Sequence, residues 1–136
     1  TWRRFGRGDL IVQRLDFWKD LVRQGLRTPV EQPGDTRSDC HAWGSHPLFH
    51  LFASVAGIRP AEPGFRSVRI EPLPGPWRSI RARLPHPTGQ VALALRFEDG
   101  VCEGDIELPP ATPGVLIWGG RETPLRGGPN RLKISR

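Results

Sequence analysis

The chain has 136 residues, which allows one modest domain or a small domain with a piece of a second. Its five Trp and six Phe exclude a disordered protein, and its 16 Gly and 15 Pro are typical of turns between short strands. The net charge is +6, but the arginines are scattered without neighbouring aromatic clusters, so we expect no nucleic-acid partner.

The apolar runs are short, and none approaches the roughly 18 residues that cross a bilayer. The first residues also lack the basic and then apolar pattern of a signal peptide. We therefore expect a soluble protein without a membrane partner, whose compartment the sequence leaves open. The chain begins at Thr1 and contains no Met, which is typical of a fragment or a processed product.

An amphipathic helix is predicted over residues 9–26. Its apolar residues recur at steps of three and four: Leu10, Ile11, Leu15, Trp18, Leu21, Val22 and Leu26. Asp9 is a suitable N-cap, and Gly25 is a suitable residue to end the helix.

Residues 27–44 are predicted to form an irregular loop, and a shorter helix follows over residues 46–56. Ser45 is expected to cap this helix, and Pro47 suits its first turn. The helix is apolar on most sides, through Leu48, Phe49, Leu51, Phe52 and Val55. Because one neighbouring helix cannot bury all of them, we expect the apolar face of 10–26 and 46–56 to pack on the rest of a larger protein or on a second copy.

After Gly57 the apolar residues alternate, which is typical of strands. Seven short strands are predicted, at 68–71, 80–84, 90–98, 101–108, 115–118, 122–125 and 131–134. Glu98-Asp99-Gly100 is a hairpin signal between the third and fourth of them. Short strands separated by Gly and Pro turns indicate an antiparallel sandwich or barrel.

The residues whose side chains could take part in binding or catalysis are concentrated in the loop: Glu31, Arg37, Asp39, His41 and Trp43. Binding and catalytic groups often lie on loops held by rigid elements. Spacing alone favours non-catalytic roles, with Glu31 as a solvated carboxylate beside an arginine and His41 as a structural histidine. Arg37 and Asp39 are expected to form an ion pair that braces the loop.

No metal or cofactor is predicted. His46 and His50 are four residues apart on a predicted helix, but no third ligand follows at a recognisable spacing. Cys40 and Cys102 fall in different halves of the chain, so no disulfide is expected, and Cys40 is interpreted as a small buried residue.

The loop and its flanks resemble the end of the catalytic domain of bacterial α-L-rhamnosidases, glycoside hydrolase family 78. The resemblance is carried by the segment from Thr36 to Pro47, followed by Gly57-Ile58-Arg59-Pro60 and Pro63-Gly64-Phe65. It implies an α+β chain of two parts. Residues 1–60 would be the last helical hairpin of an incomplete (α/α)6 toroid, and residues 61–136 a small antiparallel β-sandwich.

The resemblance also implies residue roles. Members of this family remove terminal rhamnose from glycosides with inversion, which requires two carboxyl groups on opposite sides of the sugar. Glu31 matches the family's general base, since it follows the Gly25-Leu26-Arg27-Thr28 segment, although Pro29-Val30 stands where relatives carry an aromatic residue. His41 matches the histidine that contacts rhamnose, and Trp43 would support the pocket wall. The family's general acid lies far upstream, outside this chain.

Two other functions remain open. The sandwich could be a stand-alone carbohydrate-binding or interface module, or a structural cap on a catalytic domain. Trp77, His86 and Trp118 could form a sugar platform there, although core and turn positions are the favoured interpretation.

Overall fold

The computed structural model describes residues 2–136, and it begins with a helical segment. A 3₁₀ turn at Trp2–Phe5 precedes helix α1 at Gly8–Arg23, and Gly25 follows α1 with a φ of +85°. The predicted helix and its glycine stop are confirmed, but the cap is not. The N-cap position is occupied by Arg7, and the Asp9 carboxylate instead accepts hydrogen bonds from the Arg7 guanidinium at 2.6 and 2.9 Å.

The second predicted helix is irregular. A 3₁₀ turn at Ala42–Ser45 leads into helix α2 at Pro47–His50, which continues as a π-helical segment at Leu51–Ala56. Pro47 lies in the first turn as predicted. Ser45 does not cap the helix, because its hydroxyl donates to the carbonyl of Ala42 at 2.6 Å.

Gly57 ends the π-helical segment and turns the chain into the sheet. Its φ is +75°, and a Cβ at this position would lie 2.1 Å from the carbonyl oxygen of Glu71. The Glu71 amide donates to the Gly57 carbonyl at 3.1 Å, so the two backbones run in close contact. Only glycine allows both the left-handed conformation and this approach.

Eight strands form two four-stranded sheets, ordered β1-β2-β6-β7 and β3-β4-β5-β8. The strands are β1 Ile58–Pro60, β2 Val68–Ile70, β3 Ser79–His86, β4 Gly89–Glu98, β5 Val101–Leu108, β6 Gly114–Trp118, β7 Arg121–Leu125 and β8 Gly128–Ser135. All seven predicted strands are present, and β1 is additional. The pairing of β2 with β6 is parallel, whereas the other strand pairs are antiparallel.

The predicted hairpin joins β4 to β5. Asp99 and Gly100 both have positive φ, at 46° and 77°, as a two-residue hairpin turn requires. The fold is therefore α+β, a short helical region followed by a small, largely antiparallel sandwich, as the sequence predicted.

One apolar core holds the helical segment and the sandwich together. Its most deeply buried side chains lie between the sheets and include Val68, Ile70, Val91, Leu95 and Leu116. Helix α1 contributes Ile11 and Val12 to the same cluster, and the π-helical segment contributes Val55 and Ala56. The loop of residues 27–44 is thus carried by elements that are anchored in the core. The division of the chain at residue 60 into two domains stays a prediction.

Candidate functional site in the loop before the second helix

The loop between α1 and α2 is closed by hydrogen bonds across its base. The Glu31 amide donates to the Ser38 carbonyl and the His41 amide donates to the Pro29 carbonyl, both at 2.9 Å. The Thr28 hydroxyl donates to the carbonyl of Asp39. These bonds join residues that are 7 to 12 positions apart in sequence and bring them to one end of the loop.

The loop is also fastened to α1 at Gly44. The indole Nε1 of Trp18 donates to the Gly44 carbonyl at 2.6 Å. A Cβ on Gly44 would lie 2.7 Å from Pro29 Cβ and from the Val30 carbonyl oxygen, so glycine allows the turn to pack on the start of the loop. The sequence analysis assigned Trp18 to the apolar helix face and did not identify this contact. A tryptophan on the apolar face of a predicted helix, followed by a glycine-containing loop, is the signal that could have indicated it.

Glu31 is held at the mouth of the loop by Arg37. The arginine donates from Nε and Nη2 to the two carboxylate oxygens at 2.8 and 2.6 Å. The side chain of Glu31 is only 9% exposed, whereas that of Arg37 is 82% exposed. The hydrogen bonds from Arg37 lower the pKa of Glu31 below its usual value; partial burial acts in the opposite direction, and the charge of His41 lowers it further.

The expected ion pair between Arg37 and Asp39 is replaced by this pair between Arg37 and Glu31. Asp39 is exposed, and it takes part in the loop through its backbone carbonyl. The partner of Arg37 is therefore the carboxylate that the resemblance assigns to catalysis.

His41 and Trp43 lie beside Glu31. Their ring centroids are 3.9 Å apart with the planes tilted by 49°, and Trp43 Nε1 donates to the carbonyl of Glu31 at 2.9 Å. Trp43 is 60% exposed, so its ring forms part of the surface. Nδ1 of His41 is buried and has no hydrogen-bond partner among residues 2–136.

The loop thus brings a largely buried carboxylate, an imidazole and an exposed indole into one small region. A carboxylate accepts hydrogen bonds from hydroxyl groups, and an imidazole can donate or accept them. An exposed indole offers an apolar face with a polar edge. Together these groups can form hydrogen bonds with hydroxyl groups and offer an apolar surface.

The aromatic residues of the sandwich have other roles. Trp118 is buried and donates from Nε1 to the Gly100 carbonyl at 2.8 Å, and the guanidinium of Arg136 lies 4.5 Å above its ring. His86 donates from Nε2 to the Phe65 carbonyl at 2.7 Å. The favoured core interpretation is confirmed for Trp118, whereas His86 is half-buried at the end of β3.

The structure also shows the exposure of the two cysteines and the distance between two of the histidines. Cys102 is buried as a free thiol, whereas Cys40 is exposed, so the expected burial of Cys40 is wrong. The rings of His46 and His50 lie 5.6 Å apart. Among residues 2–136, no three His, Cys, Asp or Glu side chains are grouped as metal ligands would be.

In the same residues, no helix is long and apolar enough to cross a membrane.

The sequence model described as "Bacterial alpha-L-rhamnosidase C-terminal domain" matches residues 57–132, which is more than half of the chain. The chain belongs to this family. No curated protein sequence matches it significantly.

Solved rhamnosidases share the fold of this rhamnosidase C-terminal domain. The α-L-rhamnosidase of Streptomyces avermitilis, solved with L-rhamnose, is 22% identical with a TM-score of 0.70, and the alignment covers 87% of this chain and 15% of that one. The family 78 rhamnosidase of Bacillus sp. GL1 is 24% identical with a TM-score of 0.73, covering 85% and 14%. The enzyme of Dictyoglomus thermophilum is 18% identical with a TM-score of 0.69, covering 86% and 17%.

The rhamnosidase domain described here therefore spans less than a fifth of those enzymes. The alignments cover at least 85% of this chain, whereas the family match is confined to residues 57–132. The loop with Glu31, His41 and Trp43 lies outside the family match.

Proposed function

We propose that this chain is the C-terminal segment of an inverting α-L-rhamnosidase that removes terminal rhamnose from glycosides. In this proposal Glu31 is the general base, His41 binds the rhamnose unit and Trp43 forms part of the pocket wall. The observation that carries it is the convergence of these three residues in a loop that is closed by its own backbone hydrogen bonds. Membership of the rhamnosidase family and the shared fold support it.

The contacts of Glu31 are compatible with the work of a base. Inversion requires one carboxyl group to take a proton from water while a second protonates the leaving oxygen. A carboxylate has about four lone-pair sites, and a bidentate arginine uses two of them, so the attacking water can still donate to Glu31. The lowered pKa of Glu31 keeps it ionised at a pH where a general acid remains protonated.

The second carboxyl group would come from residues outside this chain, so the 136 residues alone are not expected to hydrolyse a rhamnoside. His41 would hold the sugar through its imidazole. Trp43 would support His41, since their rings lie 3.9 Å apart, and it would cover the apolar side of the sugar ring.

The experiment uses the intact enzyme and an aryl α-L-rhamnoside. Glu31→Gln should lower kcat by about 100-fold or more, with little change in KM, because a base acts on the water and makes few contacts with the bound sugar. Azide should restore turnover, since it attacks the anomeric carbon without losing a proton, and the product should be an inverted rhamnosyl azide. Asp35→Asn, in the same loop and exposed, is the matched control and should keep normal kcat.

His41→Ala should act differently in the same assay. The loss of a polar partner for the sugar should weaken kcat/KM by about 10-fold to 100-fold, together with inhibition by free rhamnose. Near-normal kcat in Glu31→Gln, with Asp35 or Asp39 essential instead, would show that the base has been misassigned.

A purely structural or interface role is the second candidate, and one observation favours it. The family match covers the sandwich at residues 57–132 and excludes the loop. If this role were the whole function, Glu31→Gln and His41→Ala would leave the kinetics of the intact enzyme unchanged, and only substitutions in the apolar core would reduce activity, through loss of stability.

A further inference from the structure

A shallow trough crosses the outer face of the sheet formed by β3, β4, β5 and β8. It has a volume of about 800 Å³, and among residues 2–136 no aromatic side chain lines it. Ala92 and Ala94 form its floor, because they alternate along β4 with side chains that point into the core. Their methyl groups leave an apolar strip between the longer side chains of the neighbouring strands.

Two arginines form one wall of the trough. Arg81 lies opposite Ala94, and Arg83 lies opposite Ala92, in the pairing of β3 with β4. Both arginines are exposed, and their side chains leave the same face of the sheet because they are two residues apart on one strand. Arginine binds a carboxylate through two parallel hydrogen bonds, so this wall suits a ligand that carries carboxylate groups.

Two carboxylates form the opposite wall. Asp105 lies opposite Ala94, and Glu107 lies opposite Ala92, in the pairing of β4 with β5. Both are exposed, and two strand spacings of about 4.8 Å separate them from the arginine wall. An ionised carboxylate only accepts hydrogen bonds, so this wall suits the hydroxyl groups of a ligand.

We call this surface, with its alanine floor between the two charged walls, the sheet trough. Arg126 and Arg131 line it as well, so its arginines outnumber its carboxylates by four to two. Arg131 lies opposite Asp105 on β8, but among residues 2–136 none of the six charged side chains forms an ion pair. An excess of positive charge without an internal partner favours an anionic ligand.

We propose that the sheet trough binds a polysaccharide that contains uronic acid units. A uronate unit carries a carboxylate and several hydroxyl groups on one ring, so it matches both walls at once. Its C–H groups would lie over Ala92 and Ala94. A polymer without hydroxyl groups or an acidic peptide matches only the arginine wall, because Asp105 and Glu107 repel its further charges.

This binding site goes beyond the proposed catalysis. No residue of the loop at 27–44 lines the sheet trough, and the aromatic residues considered from the sequence do not line it either. Binding at the trough is measured without turnover. It therefore succeeds or fails independently of the role of Glu31.

The probe is polygalacturonate, and its binding to the 136-residue chain is measured by isothermal titration calorimetry at physiological ionic strength. Arg81→Gln combined with Arg83→Gln should weaken binding by at least about 10-fold, because the charge-assisted hydrogen bonds to the carboxylates are lost. Arg66→Gln combined with Arg121→Gln is the matched control. It removes the same charge from two exposed arginines that do not line the trough, and it should weaken binding by less than about threefold.

The carboxylate wall separates recognition of a sugar from simple attraction between charges. Asp105→Ala combined with Glu107→Ala should weaken the binding of polygalacturonate, because the acceptors for its hydroxyl groups are lost. The same variant should strengthen the binding of polyacrylate, which carries carboxylates without hydroxyl groups, because two repelling charges are removed. All of these substitutions change exposed side chains, so the unfolding midpoints should stay close to that of the wild type.

The inference would be overturned if the folded wild-type chain did not bind polygalacturonate, or if the two arginine pairs weakened binding equally. Stronger binding of polygalacturonate after loss of Asp105 and Glu107 would also overturn it, since the trough would then attract any polyanion. Where a double variant unfolds early, the single substitutions replace it, and each should change the affinity in the same direction as the pair.

Discussion

The carboxylate of Glu71 is expected to contribute more to the free energy of unfolding than an ordinary surface charge, because it lies at the junction of the helical segment and the sandwich. Its Oε2 atom accepts from Arg3, Arg59 and Arg69. Arg3 also donates to the carbonyls of Ser54 and Glu71, both at 3.0 Å. Glu71→Gln removes the carboxylate that the three arginines share and preserves the shape of the side chain.

The expected magnitude follows from partial burial. Removing one member of a fully buried ion pair costs about 3–5 kcal/mol, and an exposed pair contributes about 0–1 kcal/mol. The side chain of Glu71 is 34% exposed, which places the loss between these limits, at about 2 kcal/mol. Since unfolding entropy is about 2 cal/mol/K per residue, this corresponds to a fall of roughly 7 °C in the midpoint of the isolated chain.

The assay is thermal unfolding followed by circular dichroism at several pH values. Burial raises the pKa of Glu71, but the charges and hydrogen bonds of Arg3 and Arg69 lower it by more, so the folded pKa lies below the unfolded one. The contribution of Glu71 is therefore complete above the unfolded pKa and is lost as the pH falls through the lowered folded pKa. The difference between wild type and Glu71→Gln should be full at pH 7 and should disappear in acid.

Glu122→Gln is the matched control. Glu122 is 67% exposed and lies 3.9 Å from Arg69, so its loss should change stability by less than about 0.5 kcal/mol. A Glu71→Gln protein that is as stable as this control at pH 7, or a difference that survives unchanged in acid, would refute the reasoning.

Two further predictions concern the backbone and the thiols. Gly57→Ala should destabilise the isolated chain by at least about 2 kcal/mol in urea unfolding, because its Cβ would meet the Glu71 carbonyl. Gly34→Ala is the control and should destabilise the chain less, because Gly34 has a similar φ but open space around it. Equal losses of stability in the two variants would contradict the steric argument. A thiol reagent at pH 8 should modify Cys40 rapidly, because Cys40 is exposed. It should modify Cys102 only after unfolding, because Cys102 is buried and burial raises its pKa to about 11. Rapid modification of two thiols in the folded chain would show that Cys102 is accessible.

Local sequence patterns were sufficient to predict most of the helices and strands. Alternating or continuous short apolar runs between Gly and Pro turns predicted the seven strands between 68 and 135, and Asp99-Gly100 predicted the hairpin turn, because these signals depend on neighbours within a few positions. Strand β1 at Ile58–Pro60 was missed, since three residues ending in proline carry no periodicity. The expected caps at Asp9 and Ser45 failed because a nearby arginine and a backbone carbonyl bind those side chains instead.

The sequence also predicted only part of the candidate site. The resemblance identified Glu31, His41 and Trp43 by motif, and the loop brings them together, but their roles remain predictions. The partner of Arg37 could not be read from spacing, because Asp39 and Glu31 are both within reach along the chain. The backbone bond from Glu31 to Ser38 decides between them, since it holds residues 31 and 37 on facing sides of the loop.

By itself, the sequence determined the family, the α+β class and the surplus of apolar helix surface. Tertiary structure alone decided the parallel pairing of β2 with β6, which joins residues such as Val68 and Gly114, and the sharing of Glu71 by three arginines. The physical reason is the range of the interactions involved. Periodicity and turn chemistry act between near neighbours, whereas strand pairing and charge clusters depend on distances that exist only once the core has closed.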